Sequence, residues 1–312
     1  MRIAVIDLGT NSTRLLVADA RGSLVTEVDR RTDVTRLGEG VDATGRLSDA
    51  AMKRVFETVA AYREAIDSHG AERTVAVATS AVRDARNGEE FRSRLLDRYG
   101  IEARTIPGEE EARLTFLGAT SARASAGGGP TLVLDIGGGS TEFVEGEPGR
   151  EPSFHVSTRA GSVRQTERHI TDDPPPPDQV ASLAEEVRAI VLADVPEAVR
   201  AEVTKGIAVA GTATSLAAID QELEPYDPAK VHGYRLELAA CERILAELAE
   251  LPLERRRQVT GLHPDRAPTI VAGAVILIEA MRACGLESME TSEADILHGA
   301  ALEAANDANS ED

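Results

Sequence analysis

The chain has 312 residues, of which 42% are apolar and only 3% aromatic, and its formal net charge is −19. This length suits two domains of about 150 residues each, with cores built from aliphatic side chains. The acidic balance argues against nonspecific nucleic-acid binding, which needs a basic surface, and no apolar run approaches the roughly 20 residues of a membrane span.

The N-terminus enters a strand pattern at once, in MRIAVIDLGT, and carries no basic region followed by a signal-like segment. We therefore expect a cytoplasmic protein with no membrane partner. The two cysteines, Cys241 and Cys284, lack the spacing of a metal site and are expected to be buried free thiols. If the ligand is a polyanion, a local cluster of arginines or a metal ion must overcome the negative field of the chain.

Strand and helix patterns alternate along the first half, which indicates an α/β fold. RIAVIDLG and RLLVADA predict two strands joined by a tight turn. SDAAMKRVFETVAAYREAIDSHG predicts a long amphipathic helix with Ser48 as its N-cap and Gly70 at its end. RTVAVATSAVRDA predicts a strand that runs into a helix, and EEEARLTFLGATSARAS predicts another helix.

The run ASAGGGPT then breaks the pattern, and we place a domain boundary near residue 125. This gives an N-terminal domain, 1–124, and a C-terminal domain, 125–312, whose last helix could pack back on the first domain.

The second half begins with TLVLDIGGGSTEFVEG, which predicts a hairpin, followed by a strand near PSFHVSTRAG. The proline-rich segment 172–178 predicts a surface loop before the helix DQVASLAEEVRAIVLADV. GIAVAGTATSLAAID predicts a strand, a Gly-Thr turn and a helix start. RAPTIVAGAVILIEAMRACG predicts a buried helix, because it is apolar on most faces. The tail ANDANSED is expected to be disordered.

One short pattern occurs twice. AVIDLGTNSTRLLVA at 4–18 and LVLDIGGGSTEFVEG at 132–146 share an Asp, a Gly, a Ser and a Thr at a constant offset of 128 residues. A single turn of this kind is more often structural than functional. The pair at a fixed offset favours two similar domains, each of which carries the same loop.

The residue types of this loop suit phosphate binding. Glycine at a strand end allows consecutive backbone N–H groups to point into one concavity, where they can hold phosphate oxygens. The candidates are Asn11 and Ser12 in the first loop and Gly137, Gly138, Gly139 and Ser140 in the second. A third Gly-Thr turn, at Gly211 and Thr212, also follows an apolar strand, although such a turn alone is as typical of a helix cap.

Carboxylates beside these loops suggest a divalent cation, Mg²⁺ or Mn²⁺. Asp135 and Glu142 flank the glycine-rich turn on opposite arms of the predicted hairpin, and Asp7 is the matching carboxylate of the first copy. The repeat sets Arg14 where the second copy has Glu142, so we predict a phosphate contact for Arg14, with a surface arginine as the alternative.

Several motifs together resemble a known family. DLGTNSTR, RLGEGVDATGRLSDAAMKR, ATSAVRDARN, IPGEEEARLTFLGA, LDIGGGSTEFV, AGSVRQTERHITDDPP and AGTATSL occur in the order typical of the exopolyphosphatase/guanosine pentaphosphate phosphohydrolase (Ppx/GppA) family. The resemblance covers nearly the whole chain. It implies two actin-like domains of the ribonuclease H-like (ASKHA) type with a cleft between them, and a homodimer.

The resemblance also implies a catalytic residue. The catalytic glutamate of the family falls on Glu111, the last of three consecutive glutamates, and Glu110 is the weaker second choice. Without the resemblance, three glutamates at a helix start would indicate a solvated first turn. Arg83 is a candidate for phosphate binding because a guanidinium can bind two oxygens, and Arg266 could contact the far end of a ligand; a structural ion pair is the alternative for both.

The sequence departs from the family in two places. Longer members carry further C-terminal helical domains of the HD type, and we expect this chain to be of the short, two-domain form. It also has Ile296-Leu297-His298-Gly299 where the family often has Leu-Arg-Glu-Gly. The role of that arginine therefore cannot be assigned to this chain.

The leading hypothesis is a Mg²⁺-dependent exopolyphosphatase that releases terminal orthophosphate from inorganic polyphosphate. The alternative in the same class is hydrolysis of guanosine pentaphosphate. From other classes, an actin-like sugar kinase would need a sugar-binding insert that the sequence lacks, and a noncatalytic protein that binds guanosine tetraphosphate would not need Glu111.

Overall fold

The computed structural model describes residues 1–121 and 129–311, with side chains as far as residue 308 in the last helix. Two compact units are present: Met1–Ser125 with Asp295–Asp312, and Ala126–Ala294. The domain boundary predicted near residue 125 lies outside the described residues.

The first unit is a five-stranded sheet with helices. Its strands are β1 (Arg2–Leu8), β2 (Thr13–Arg21), β3 (Leu24–Asp33), β4 (Arg73–Ala78) and β5 (Ala103–Thr105). Its helices are α1 (Val41–Thr44), α2 (Asp49–His69), α3 (Ser80–Asp84), α4 (Gly88–Tyr99), α5 (Gly108–Thr120) and α14 (Ile296–Glu311). The strand order is β3-β2-β1-β4-β5, with β1 to β3 antiparallel and β4 and β5 parallel to β1.

The second unit is a six-stranded sheet with helices. Its strands are β6 (Thr131–Ile136), β7 (Thr141–Gly146), β8 (Phe154–Thr158), β9 (Lys205–Val209), β10 (Arg235–Glu237) and β11 (Ser288–Thr291). Its helices are α6 (Ser162–His169), α7 (Pro177–Asp194), α8 (Glu197–Glu202), α9 (Ala210–Asp220), α10 (Pro228–Val231), α11 (Leu238–Glu250), α12 (Leu253–Arg256) and α13 (Ile270–Ala283).

The two sheets have the same topology. In the second, the order β8-β7-β6-β9-β11 repeats the antiparallel meander and the two parallel strands of the first, and β10 is added at the edge. This is the ribonuclease H-like order of actin-like domains, so the predicted α/β fold class is confirmed.

The sheet of the first unit is buried on both faces. One face packs on α2 through side chains such as Val55 and Val59, and the other on α14 through side chains such as Leu297 and Ala301. Alternation along β1 explains this, because Ala4 and Ile6 join one core whereas Ile3 and Val5 join the other.

Several local predictions can be compared with the structure. Ser48 caps α2 by accepting a hydrogen bond from the Ala51 N–H, and Gly70 ends the helix in the left-handed conformation, as predicted. The buried helix is also confirmed, since α13 is buried from Ile270 to Met281. The proline run is a loop only up to Pro176, because α7 begins at Pro177, and proline tolerates the first helical turn.

Two predictions were wrong. The tail ANDANSED is helical as far as Glu311, because the apolar face of α14 packs on the sheet as far as Ala305 and holds the helix that follows. Arg266 does not begin the buried helix; it ends a separate 3₁₀ turn, Pro264–Arg266. Across the described ranges, no helix is both long enough and apolar enough to cross a membrane.

Candidate active site

The candidate residues of the first unit follow the carboxyl ends of neighbouring parallel strands. Asp7 is near the end of β1, Arg83 lies on α3 just after β4, and Glu111 lies in the first turn of α5 just after β5. Parallel strands end at the same edge of a sheet, and in open α/β sheets this edge is where ligands bind. The topology therefore brings residues that are far apart in sequence to one edge.

The turn between β1 and β2 is closed by one backbone hydrogen bond, from the Gly9 N–H to the Ser12 carbonyl at 3.0 Å. A Cβ at Gly9 would lie 2.9 Å from that carbonyl oxygen, so the close turn requires glycine. Within the described residues, the N–H groups of Thr10, Asn11 and Ser12 donate to no protein atom. Three adjacent donors are therefore available to an anion.

The neighbouring chain holds this turn in place. The Thr10 and Ser80 hydroxyls are hydrogen-bonded at 2.8 Å, and the Arg36 N–H donates to the Asn11 carbonyl at 2.8 Å. Such support reduces the cost of ordering the turn around a ligand.

Arg14 stands directly opposite Asp7 in the β1–β2 ladder, so both side chains lie on one face. Its Nε and one terminal nitrogen donate to Oδ2 of Asp7 at 2.9 and 2.7 Å, and the other terminal nitrogen donates to Asp295. Burial raises the pKa of Asp7 above its usual range, and Arg14 opposes this rise. Within the described residues, Oδ1 of Asp7 is buried without a hydrogen-bond partner.

Glu111 is buried and is paired with another candidate residue. Arg83 donates to Oε2 of Glu111 at 3.1 Å and to the Ile106 carbonyl at 3.0 Å. Glu110 points elsewhere and accepts a hydrogen bond from Arg104 at 2.9 Å. The structure thus separates two neighbouring glutamates, because only Glu111 contacts another candidate site residue.

The turn between β6 and β7 repeats the first turn. The Gly137 N–H donates to the Ser140 carbonyl at 3.0 Å, and in the described part of the chain the N–H groups of Gly138 and Gly139 donate to no protein atom. The Gly138 carbonyl accepts the Val163 N–H at 2.8 Å from the start of α6. This anchor fixes the peptide planes of the turn while leaving both N–H groups available.

Asp135 and Glu142 stand directly opposite each other on β6 and β7, so their side chains share a face of the sheet. Both are buried, and the Ser157 hydroxyl donates to Oε1 of Glu142 at 2.7 Å. Where the first hairpin pairs an aspartate with an arginine, the second places two carboxylates together.

The third candidate loop begins α9. Ala210 has a positive φ of 62°, a left-handed conformation that is costly for alanine. A Cβ at Gly211 would lie 1.5 Å from a terminal nitrogen of Arg266, so the guanidinium lies against the glycine. Gly211 and Thr212 are thus at a helix N-terminus beside an arginine.

In the second unit, Asp135 and Glu142 supply buried carboxylate oxygens, the ligand type that a hard divalent cation prefers. In the first unit, Asp7 has a buried oxygen that no protein donor occupies among the described residues. The described residues contain no cluster of three or more His, Cys, Asp or Glu able to hold a metal. Mg²⁺ commonly takes one or two carboxylates from a protein and completes its shell with water and substrate phosphate.

Within each unit, sequence reasoning missed residues that contact the candidate residues or their turns. Asp295 contacts Arg14, Ser157 contacts Glu142, and Ser80 holds Thr10. One indication for Asp295 was present in the sequence, because the departure from the family pattern at Ile296-Leu297-His298-Gly299 comes directly after it. No sequence pattern indicated Ser157 or Ser80.

The sequence pattern of the Ppx/GppA phosphatase family matches residues 4–307. The chain belongs to this family. Exopolyphosphatase 2 of Mycobacterium tuberculosis is 39% identical over 316 residues, which covers 96% of this chain and 98% of that protein. The crystal structure of the Aquifex aeolicus Ppx/GppA family member has a TM-score of 0.82 at 30% identity and covers 99% of both chains. An exopolyphosphatase from Cytophaga hutchinsonii has a TM-score of 0.90 at 25% identity and covers 98% of both chains.

Membership in the Ppx/GppA phosphatase family confirms the resemblance seen in the sequence motifs. The chain matches almost the full length of these relatives, so the family assignment applies to both units. The roles of individual residues stay predictions.

Proposed function

We propose that the protein is an exopolyphosphatase that hydrolyses the terminal phosphoanhydride bond of inorganic polyphosphate. The observation that carries the proposal is the pair of equivalent turns, Gly9–Ser12 and Gly137–Ser140, each closed by the same hydrogen bond and each with N–H groups available to phosphate oxygens. A relative that is 39% identical over nearly its whole length bears the name exopolyphosphatase, which supports the same activity.

In this proposal Glu111 is the general base. Its carboxylate takes a proton from the water whose oxygen bonds to the terminal phosphorus. The bond from this phosphorus to the bridging oxygen breaks, which releases orthophosphate and a polyphosphate chain that is one phosphate shorter and keeps the bridging oxygen. Arg83 donates to Oε2 of Glu111 at 3.1 Å and so holds this carboxylate in place.

In this proposal the phosphate oxygens are bound by the turns, by the start of α9 and by arginine side chains. The proposed contacts are the turn residues Asn11, Ser12, Gly137, Gly138, Gly139 and Ser140, the α9 residues Gly211 and Thr212, and the arginines Arg14 and Arg83. Arg14 already contacts Asp7 and Asp295, so we expect any phosphate contact to share its guanidinium with these carboxylates.

Asp135 and Glu142 are the residues proposed to hold Mg²⁺ or Mn²⁺, with Asp7 as the corresponding carboxylate of the first unit. A divalent cation supplies neutralisation of the charge on the phosphate oxygens. The family description names a phosphatase, and hydrolysis of a polyanion by a chain of net charge −19 needs such neutralisation.

Guanosine pentaphosphate is the second candidate substrate. The family name covers this activity, and release of its terminal phosphate would use the same base and turns. Guanosine tetraphosphate binding without turnover is the noncatalytic alternative.

A cytoplasmic location and a homodimer stay predictions.

The test is orthophosphate release in the presence of Mg²⁺ from short polyphosphate, long polyphosphate and guanosine pentaphosphate. Glu111→Gln should lower turnover by on the order of 100-fold or more while polyphosphate still binds, because the base is lost and the phosphate contacts are kept. Glu110→Gln is the matched control and should keep most of the activity.

Release from polyphosphate at a much higher rate than from the nucleotide would support the proposal. The reverse ratio would identify the nucleotide as the substrate. No release from any of the three would contradict the hydrolase assignment.

A further inference from the structure

Asp295 lies immediately before α14, and it is only 1% exposed. Its Oδ1 accepts the Leu297 N–H at 3.0 Å and so caps the start of this helix. Its Oδ2 accepts a hydrogen bond from Arg14 and lies 3.8 Å from a terminal nitrogen of Arg30. Oδ1 of Asp295 therefore caps α14, and Oδ2 contacts the arginines.

The contact with Arg14 links Asp295 to Asp7. Arg14 uses two nitrogens on Oδ2 of Asp7 and its third on Asp295, so the guanidinium bridges the two carboxylates. Within the described residues, Oδ1 of Asp7 then has no donor, although it is buried. An arginine paired with one carboxylate alone normally binds both of its oxygens in a fork.

We propose that Asp295 is a positioning residue for cation binding: by holding one nitrogen of Arg14, it confines this guanidinium to Oδ2 of Asp7 and keeps Oδ1 available to the metal or to a water on the metal. The inference rests on the proposed function only in assigning Asp7 to the metal. Outer residues that orient a ligand are known to set metal affinity strongly.

The surrounding charges agree with this role. Burial opposes ionisation of Asp295, but Arg14, Arg30 and His298 outweigh it and lower its pKa, so the residue is an anion at neutral pH. Glu27 lies 3.4 Å from Arg30 and 3.1 Å from His298. Loss of the Asp295 charge would release one nitrogen of Arg14, which could then bind Oδ1 of Asp7, and would make the surroundings more positive.

The close packing of α5 and α14 fixes Asp295. A Cβ at Gly118 would lie 1.9 Å from the Asp295 carbonyl oxygen, and a Cβ at Gly299 would lie 1.9 Å from the Leu114 carbonyl oxygen. Only glycine allows this approach, so the backbone of Asp295 is held against the helix that carries Glu111.

The test is Mn²⁺ binding, measured by electron paramagnetic resonance on the full chain without substrate. Asp295→Asn keeps an oxygen that can cap α14 but removes the charge, and it should weaken Mn²⁺ binding by on the order of 10-fold to 100-fold. Glu303→Gln is the matched control, because it removes the ion pair from Arg113 on α5 to the same helix without touching Arg14. Its Mn²⁺ affinity should equal that of the wild type.

Thermal melting of each variant accompanies the titration. If Asp295→Asn does not fold, Asp295→Ser, which retains a capping hydroxyl, replaces it. An Asp295→Asn protein that melts earlier but binds Mn²⁺ like the wild type would overturn the proposal, as would a wild type that binds no Mn²⁺. If Asp295→Asn weakens Mn²⁺ binding but the wild type hydrolyses no polyphosphate, the positioning role of Asp295 is supported and the proposed function is contradicted.

Discussion

Arg14 and Glu142 occupy equivalent positions of the two hairpins, each opposite an aspartate, and this one difference gives the hairpins different chemistry. Beside Asp7, the guanidinium of Arg14 occupies one carboxylate oxygen. Beside Asp135, Glu142 adds a second carboxylate, which Ser157 orients. A cation is attracted more strongly to the pair of carboxylates, so we expect the second hairpin to contribute more to metal affinity.

Two of the four tyrosines, Tyr62 and Tyr234, should resist deprotonation in the folded protein. We expect both to keep their phenolic protons at about pH 10.5, where a free phenol, with a pKa of about 10, is mostly ionised. Burial and the hydrogen bond to Asp33 raise the pKa of Tyr62 well above its usual range, and burial and Asp220 raise the pKa of Tyr234 to about 12. In the unfolded chain both phenols lose their protons near pH 10. Their contribution to the free energy of unfolding is therefore complete below about pH 10, and it is lost as the pH rises towards the pKa values of the folded protein.

Absorbance at 295 nm during an alkaline titration measures this directly, in native protein and in guanidinium chloride. Tyr234→Phe should remove one late ionisation step. Four phenols that titrate together near pH 10 in the native protein would contradict the expectation.

At the scale of elements, α5 and α14 meet through Gly118 and Gly299 at backbone contact distance. The sequence predicts α5 well, but a glycine in a helix interior weakens that prediction because glycine lowers helix propensity. Its presence is explained only by α14, which lies against it.

Gly118→Ala should therefore destabilise the protein by about 2 kcal/mol or more, because overpacking outweighs the roughly 1 kcal/mol gained in helix propensity. Urea denaturation measures the free energy of unfolding. Gly22→Ala is a suitable control: no atom lies within 4 Å of the added Cβ, so it should cost only about 1 to 2 kcal/mol for the left-handed φ of 59°. A Gly118→Ala protein as stable as the wild type would show that the helices can move apart freely.

At the scale of the whole chain, the same strand order occurs twice, and the chain returns to its first unit for its last helix. The net charge of −19 belongs to this scale too, because it acts at long range and opposes approach of a polyanion whatever the local contacts.

Raising NaCl from about 10 mM to about 150 mM should consequently lower the KM for long polyphosphate by on the order of twofold, since the Debye length falls from about 30 Å to about 8 Å. Tripolyphosphate is the control, and its smaller charge should give a smaller change. A KM that rises steadily with salt would mean that local arginine contacts dominate binding.

The sequence by itself determined what depends on local pattern. Asp7 and Arg14 are seven residues apart across a tight turn, so the period of two along the strands and the turn glycine suffice to place them opposite each other. The second hairpin follows in the same way, and the offset of 128 residues predicts the repeated fold.

Only the tertiary structure decided the pairing of Arg83 with Glu111 and of Arg14 with Asp295. The second pair is separated by 281 residues, and no periodicity or turn chemistry connects two such positions. Their contacts arise because parallel strands end at a common edge and because α14 packs on the same sheet, and both depend on the burial of apolar faces contributed by distant parts of the chain.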